Sequence, residues 1–184
     1  IIGLGFLIYY DTNKTPFSLF SVIVYGSSVV ILFTASTLYH LAIDQKKKYY
    51  LRITDHISIY FLIAGTYTPV LLISLVESLG WILFYLVWAI TALGIVIKLF
   101  FTGKFEVFST LMYLAMGWLI VFDLSSLADK INEGMVFLIA GGVAYTVGVI
   151  FYTFERIPYN HFIWHLFVLI GAFCHFLMIF NYVI

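Results

Sequence analysis

Long apolar runs, cut by short polar stretches, set the pattern of this chain. The polar stretches are DTNKTP (11–16), DQKKKYYLR (44–52), ESLG (77–80), FTGKFE (101–106), ADKINEG (128–134) and ERIPYN (155–160). They leave apolar runs at 1–10, 17–43, 53–76, 81–100, 107–127, 135–154 and 161–183. A helix that crosses a bilayer needs about 20 apolar residues. Six of the runs are long enough, and the first supplies half a crossing. The runs are continuous blocks, without the alternation of a β-barrel strand, and in lipid only a helix otherwise satisfies its own backbone. The pattern therefore predicts an all-α, polytopic seven-transmembrane helix bundle with a truncated first helix, forming a single domain over 1–184. The connections are short, so neighbours in sequence are expected to pack antiparallel.

Composition agrees. Of 184 residues, 64% are hydrophobic, 20% aromatic and 10% charged, with a mean hydropathy of +1.09. A soluble domain carries about 45–50% apolar and about 25% charged residues. Net charge is zero, which gives no general attraction to nucleic acid, and a single cysteine, Cys174, excludes an internal disulfide. The chain opens at Ile1 inside an apolar run, with no charged segment or cleavage signal before it, so the first helix is expected to continue upstream.

Lys and Arg give the orientation. The connections after the first, third and fifth helices hold Lys14 and Lys130. Those after the second, fourth and sixth, with their flanks, hold Lys46, Lys47, Lys48, Arg52, Lys98, Lys104 and Arg156. The second side is the expected cytoplasm, with the N-terminus inside and the C-terminus outside. The three consecutive lysines read first as a topology anchor and second as a contact for anionic lipid.

This topology gathers the chain's polar residues. STLYH (36–40) ends the second helix, TDHISIY (54–60) starts the third, and HFIWH (161–165) starts the seventh. Ser36, His40, Asp55, His161 and His165 then lie within about two turns of one membrane face. His161 and His165 are four apart and share a helix face, the spacing by which one helix offers two imidazoles to one metal. His40 adds a third. Three protein ligands and an open position make the catalytic pattern of zinc, and Asp55 with Ser36 stands ready to hold a metal-bound water. His175, ten residues past His165, lies about 15 Å deeper and is expected to hydrogen-bond within the bundle. His56 points about 100° away from Asp55 and reads as interfacial or structural, while Tyr39 and Tyr159, the nearby candidates to meet an oxyanion or leaving group, read first as interfacial. Asp123 reads as a loop-edge residue, and Gly141, Gly142 and Gly171 as close-packing positions. In AGTYTP (64–69) a proline kink is expected, with Thr66 and Thr68 hydroxyls satisfying freed carbonyls.

Three of these motifs resemble a known family. SxxxH at 36–40, DHxxIYxLIAGTYTP at 55–69 and HxxxH at 161–165, with a further His ten residues on, resemble the haemolysin III branch of the progestin and adiponectin receptor family. The resemblance covers the whole chain. It implies seven helices with a cytoplasmic N-terminus, zinc ligands His40, His161 and His165, and Asp55 and Ser36 beside the bound water. Eukaryotic relatives of this kind look like lipid hydrolases, with ceramide amide cleavage suggested. Bacterial ones carry a haemolysin name and are linked to membrane homeostasis.

Three functions follow as expectations. The first is zinc-dependent hydrolysis of a lipid amide or ester, with Asp55 as proton acceptor and the lipid entering laterally. The second is a non-enzymatic sensor or regulator of membrane homeostasis, with zinc as a structural staple. The third is a haemolysin-type pore, for which a polar path across the membrane is lacking. In each case the protein is expected as a multi-pass protein of a bacterial plasma membrane with membrane lipid as its partner.

Overall fold

The computed structural model describes residues 1–12, 14–154 and 156–184. Asn13 and Glu155, which belong to two of the polar stretches above, lie outside the described residues. All regular structure among the described residues is helical. The order is α1 (Ile2–Tyr10), α2 (Ser18–Leu41), α3 (Gln45–Pro69) with a π turn (Val70–Ser74), α4 (Gly80–Phe101), α5 (Glu106–Gly117), a 3₁₀ segment (Leu119–Asp123), α6 (Leu124–Ile131), a second 3₁₀ turn (Asn132–Gly134), α7 (Met135–Thr153) and α8 (Asn160–Met178) with a closing π turn (Ile179–Val183).

Five helical stretches are long and apolar enough to cross a membrane: Ser18–Leu41, Gln45–Ser74, Gly80–Phe101, Glu106–Thr153 and Asn160–Val183. The chain is an integral, multi-pass membrane protein. Five stand where six full-length spans were expected because the 107–127 run is not one helix. α5 stops at Gly117, and the helical path continues through α6 into α7 as one stretch of 48 residues. Tyr67 of α3 sits at the break: its hydroxyl donates to the Gly117 carbonyl (2.9 Å) and accepts from the Ile120 amide (2.9 Å). A side chain that satisfies both opened backbone groups removes the penalty of interrupting a helix in an apolar setting.

α3 begins eight residues earlier than its apolar run. The Asp44 carboxylate accepts from the Lys47 amide at 2.8 Å, an N-cap that carries the three lysines into the first turns of the helix. Near the other end, Pro69 removes the amide that would have bonded the Gly65 carbonyl. The Thr66 and Thr68 hydroxyls bond the carbonyls of Leu62 (2.7 Å) and Ala64 (2.8 Å). They reinforce the turns on either side of Gly65 rather than its carbonyl itself, and the helix loosens into the π turn directly after.

The main packed pairs are α2 with α3 and α7 with α8, and α4 closes against α3. Tyr25, Tyr60, Leu71, Met178 and Ile179 are fully buried in the core they share. Phe100, Phe122 and Ile139 are more than half exposed, as residues facing lipid are. Asp123 is not at a loop edge. It is 6% exposed and accepts from the Ser78 hydroxyl (2.6 Å) and the Leu79 amide (3.0 Å), tying the segment after α5 to the start of α4.

Candidate metal centre

One end of the bundle carries the C-terminal turn of α2 and the first turns of α3 and α8, because α2 and α3 are joined by a tight link at 42–44. His40 stands one residue before the end of α2, and His161 and His165 occupy successive turns of α8. Their three Nε2 atoms form a nearly equilateral triangle: 3.2 Å from His161 to His40, 3.2 Å from His165 to His40 and 3.1 Å from His165 to His161.

Three imidazole nitrogens so placed do not satisfy one another. In a neutral ring Nε2 carries either a proton or a lone pair. One proton serves one partner well and leaves two lone pairs face to face; two protons compete for one lone pair. A cation at the centre satisfies all three at once. A tetrahedral site with metal–nitrogen bonds of about 2.0–2.1 Å spaces its nitrogens about 3.3 Å apart, so the triangle fits a first-row metal such as zinc. His40 and His161 are exposed and His165 half-buried, so the centre is open to approach.

Asp55, in the third turn of α3, faces the same place. Its carboxyl lies against the Ser36 side chain and within electrostatic range of His40 and His161. Ser36 is one turn before His40 on α2. Ser36, Asp55 and His165 line a cavity of about 240 Å³, whose other walls are mostly aliphatic and aromatic side chains and which also takes in Tyr145 and His175. Ser36, His40 and His165 also line an open groove of about 460 Å³ between α2 and α8, floored by Leu41, Leu166 and Leu169. The centre thus sits where an interior apolar cavity meets a groove on the outer face of the bundle.

The remaining histidines go elsewhere. His56 is 7% exposed, so it is structural and not interfacial. Its Nδ1–H donates to the Arg52 carbonyl (2.7 Å), and its Nε2 stands 3.6 Å from Glu106 Oε2. Glu106 is a hub. It accepts from Lys98 Nζ (2.8 Å), Arg52 (3.2 Å) and the Gly103 amide (3.1 Å). Lys98 is 1% exposed. Counting charges for topology did not reveal this network; the available signal was a lysine inside an apolar run with an acid eight residues on. Tyr39 is half-buried, its ring 4.8 Å from that of His40, and Tyr159 is largely exposed.

Comparison with known proteins places the chain. A family model described as haemolysin-III related matches residues 1–176. The chain belongs to the haemolysin-III-related family. It is 42% identical over 179 residues to Hemolysin-3 of Bacillus cereus, covering 97% of this chain and 82% of that one. It is 43% identical over 174 residues to the Hemolysin-3 homolog of Bacillus subtilis strain 168, covering 94% and 82%. The human Monocyte to macrophage differentiation factor is 31% identical over 167 residues, covering 86% of this chain and 68% of that one. No solved structure matches. Both the bacterial and the mammalian relatives fit the haemolysin III branch of the progestin and adiponectin receptor family.

Proposed function

We propose that this haemolysin-III-type membrane protein hydrolyses a lipid amide or ester at a zinc ion held by His40, His161 and His165 on the cytoplasmic side of a bacterial plasma membrane. The single domain then crosses the membrane seven times with its N-terminus inside, α1 adding one crossing and the 48-residue Glu106–Thr153 stretch supplying two, one through α5 and the segment after it and one through α7. The observation that carries the reading is the triangle of Nε2 atoms, one of whose members, His165, lines an apolar cavity together with a carboxylate, Asp55, and a hydroxyl, Ser36.

When bound there, a zinc ion with an open position supplies a Lewis acid and an acidified water. The protein's own groups do the rest. The cavity takes the acyl chain in from the bilayer and shields the scissile carbonyl from bulk water. The Asp55 carboxylate accepts the proton of the attacking water and returns it to the leaving amine or alcohol. The Ser36 side chain holds that carboxylate in place. The three imidazoles are neutral donors, so Asp55 brings the site's one fixed negative charge and moderates the cost of a divalent cation in low dielectric.

A second reading has its own observation. α2 and α8 are not among the closely packed helix pairs, and the Leu32–Val168 cluster joins them deeper in the bundle, so an ion bridging His40 to His161 and His165 would staple their ends together and stabilise the fold by its binding energy, as a non-enzymatic membrane-homeostasis regulator needs. Asp55→Asn separates the two. The zinc-loaded protein in detergent would be assayed on a panel of lipid amides and esters. The hydrolase reading expects Asp55→Asn to keep its zinc and lose turnover by about 10²-fold or more. Absence of turnover in the wild type, with zinc-dependent stability intact, favours the staple.

A further inference from the structure

The three consecutive lysines at the start of α3 have no part in the hydrolase reading. Seven of the chain's nine Lys and Arg lie toward this end of the bundle, and any of them would serve as a topology anchor. Lys48 is set apart by how it is held. Lys46 and Lys47 are exposed, whereas Lys48 is half-buried. Its Nζ stands over the Tyr39 ring, 5.7 Å from the centroid, and the Tyr39 ring lies 4.8 Å from that of His40. A cation over an aromatic face is held in place without losing its charge. The ammonium has three donors, and no carbonyl or carboxylate of the described residues takes one. They are left to water or to a ligand.

The place of Lys48 along α3 says which ligand. Lys48, Arg52 and Asp55 stand at i, i+4 and i+7, on one face of the helix. That face packs on α2: Lys48 meets Tyr39, and the Asp55 carboxyl lies against Ser36, three residues before Tyr39. Lys48 stands seven residues before Asp55, about 10 Å nearer the end of the bundle. Arg52 between them is engaged by Glu106 at 3.2 Å. Lys48 is thus the cation of this face without a carboxylate partner among the described residues. Leu41 and Ile43, just before it in the chain, and Tyr49 and Tyr50, just after it, are all more than half exposed. Exposed apolar and aromatic side chains around a lysine suit the boundary between headgroups and acyl chains, so the anion that reaches Lys48 comes on a lipid.

We propose that Lys48, held over the Tyr39 ring beside the histidine triangle, recognises the headgroup of the bound lipid, and that this headgroup carries a phosphate-type anion. Its distance from the scissile carbonyl, roughly 10 Å, rests on the reading that this carbonyl lies at the triangle; recognition of the anion by Lys48 does not. An ammonium binds phosphate as a point charge. Partial burial against Tyr39 strengthens that attraction relative to a fully solvated lysine, and a side chain already held in place pays less ordering cost when the headgroup arrives. A headgroup that also carries a quaternary ammonium brings a second cation against Lys48 and is disfavoured.

The test is equilibrium binding of three lipids with the same two oleoyl chains to the zinc-loaded, detergent-purified protein, read by native mass spectrometry: anionic dioleoylphosphatidylglycerol, zwitterionic dioleoylphosphatidylcholine and uncharged dioleoylglycerol. The anionic lipid is expected to bind about tenfold tighter than either of the others, the size of one charge-assisted hydrogen bond. Lys48→Gln is expected to bring the three within about twofold of one another, and Lys48→Arg to keep most of the preference. Lys46→Gln and Lys47→Gln should each cost less than about threefold, as exposed charges do. Equal affinities in the wild type overturn the proposal, and so does an equal loss from each of the three lysines, which is the mark of a diffuse field. Inorganic phosphate in large excess is expected to leave the lipid bound; displacement by it overturns the assignment to a headgroup. The anionic preference is expected to survive His161→Ala combined with His165→Ala. If it survives there while the wild type hydrolyses no lipid, the headgroup site stands and the hydrolase reading falls. If it disappears with the histidines, the metal and not Lys48 draws the phosphate, and this proposal is overturned.

Discussion

Two polar clusters occupy the same end of this bundle, and they differ in what they lack. Around Glu106, donors and acceptors match: Lys98, Arg52 and the Gly103 amide donate, the carboxylate accepts, and His56 stands beside it. This cluster crosses from α3 to α4 and α5 and asks nothing of its surroundings. The histidine triangle joins α2 to α8 through three nitrogens of one kind, 3.1–3.2 Å apart, which have no arrangement of protons that satisfies them all. Polarity in an apolar bundle is a poor guide to function by itself. The better guide is whether the groups complete one another or need a ligand from outside.

Substitution breaks this contrast most strongly at the self-sufficient cluster. Glu106→Gln leaves Lys98, almost fully enclosed, without its counter-charge. Removing one partner of a buried ion pair costs about 3–5 kcal/mol. Equilibrium unfolding in mixed micelles is expected to show a loss of that size in metal-free and zinc-loaded protein alike. A loss below about 1 kcal/mol would mean that Lys98 escapes its charge or finds water.

The triangle should behave the other way. Zinc at a hundredfold excess over its dissociation constant is expected to stabilise the wild type by about 2.7 kcal/mol, while His161→Ala combined with His165→Ala loses that gain and little else. In metal-free protein the double variant should unfold within about 1 kcal/mol of the wild type, since two half-open histidines contribute little packing. A strong destabilisation without metal would make the triangle a second structural hub and erase the difference between the clusters.

The sequence makes the triangle legible because three local facts add up: a histidine at a helix end, a pair at i and i+4, and a chain topology that brings those ends together. Depth along each helix is enough information, and helix rotation hardly enters. The Glu106 hub depends on rotation. Whether Lys98 snorkels from an apolar run or turns inward to an acid eight residues later is decided by how α4 and α5 pack on α3, which periodicity does not encode. The end of α5 at Gly117 is hidden for a similar reason. The apolar run continues through it unbroken, and the group that permits the interruption, the Tyr67 hydroxyl, comes from another helix. Asp123 misreads as a loop edge because its partners, Ser78 and Leu79, lie in a distant connection.

The central claim is that the three imidazoles hold one metal ion, and metal content tests it most directly. The protein would be purified in detergent without chelators, and its zinc per chain measured for the wild type and for His161→Ala combined with His165→Ala. About one zinc per chain in the wild type, absent from the folded double variant, is the expected result. A well-folded wild type that takes up no zinc even when the ion is supplied, or a double variant that retains it, would contradict the account and leave the triangle as a contact between helices.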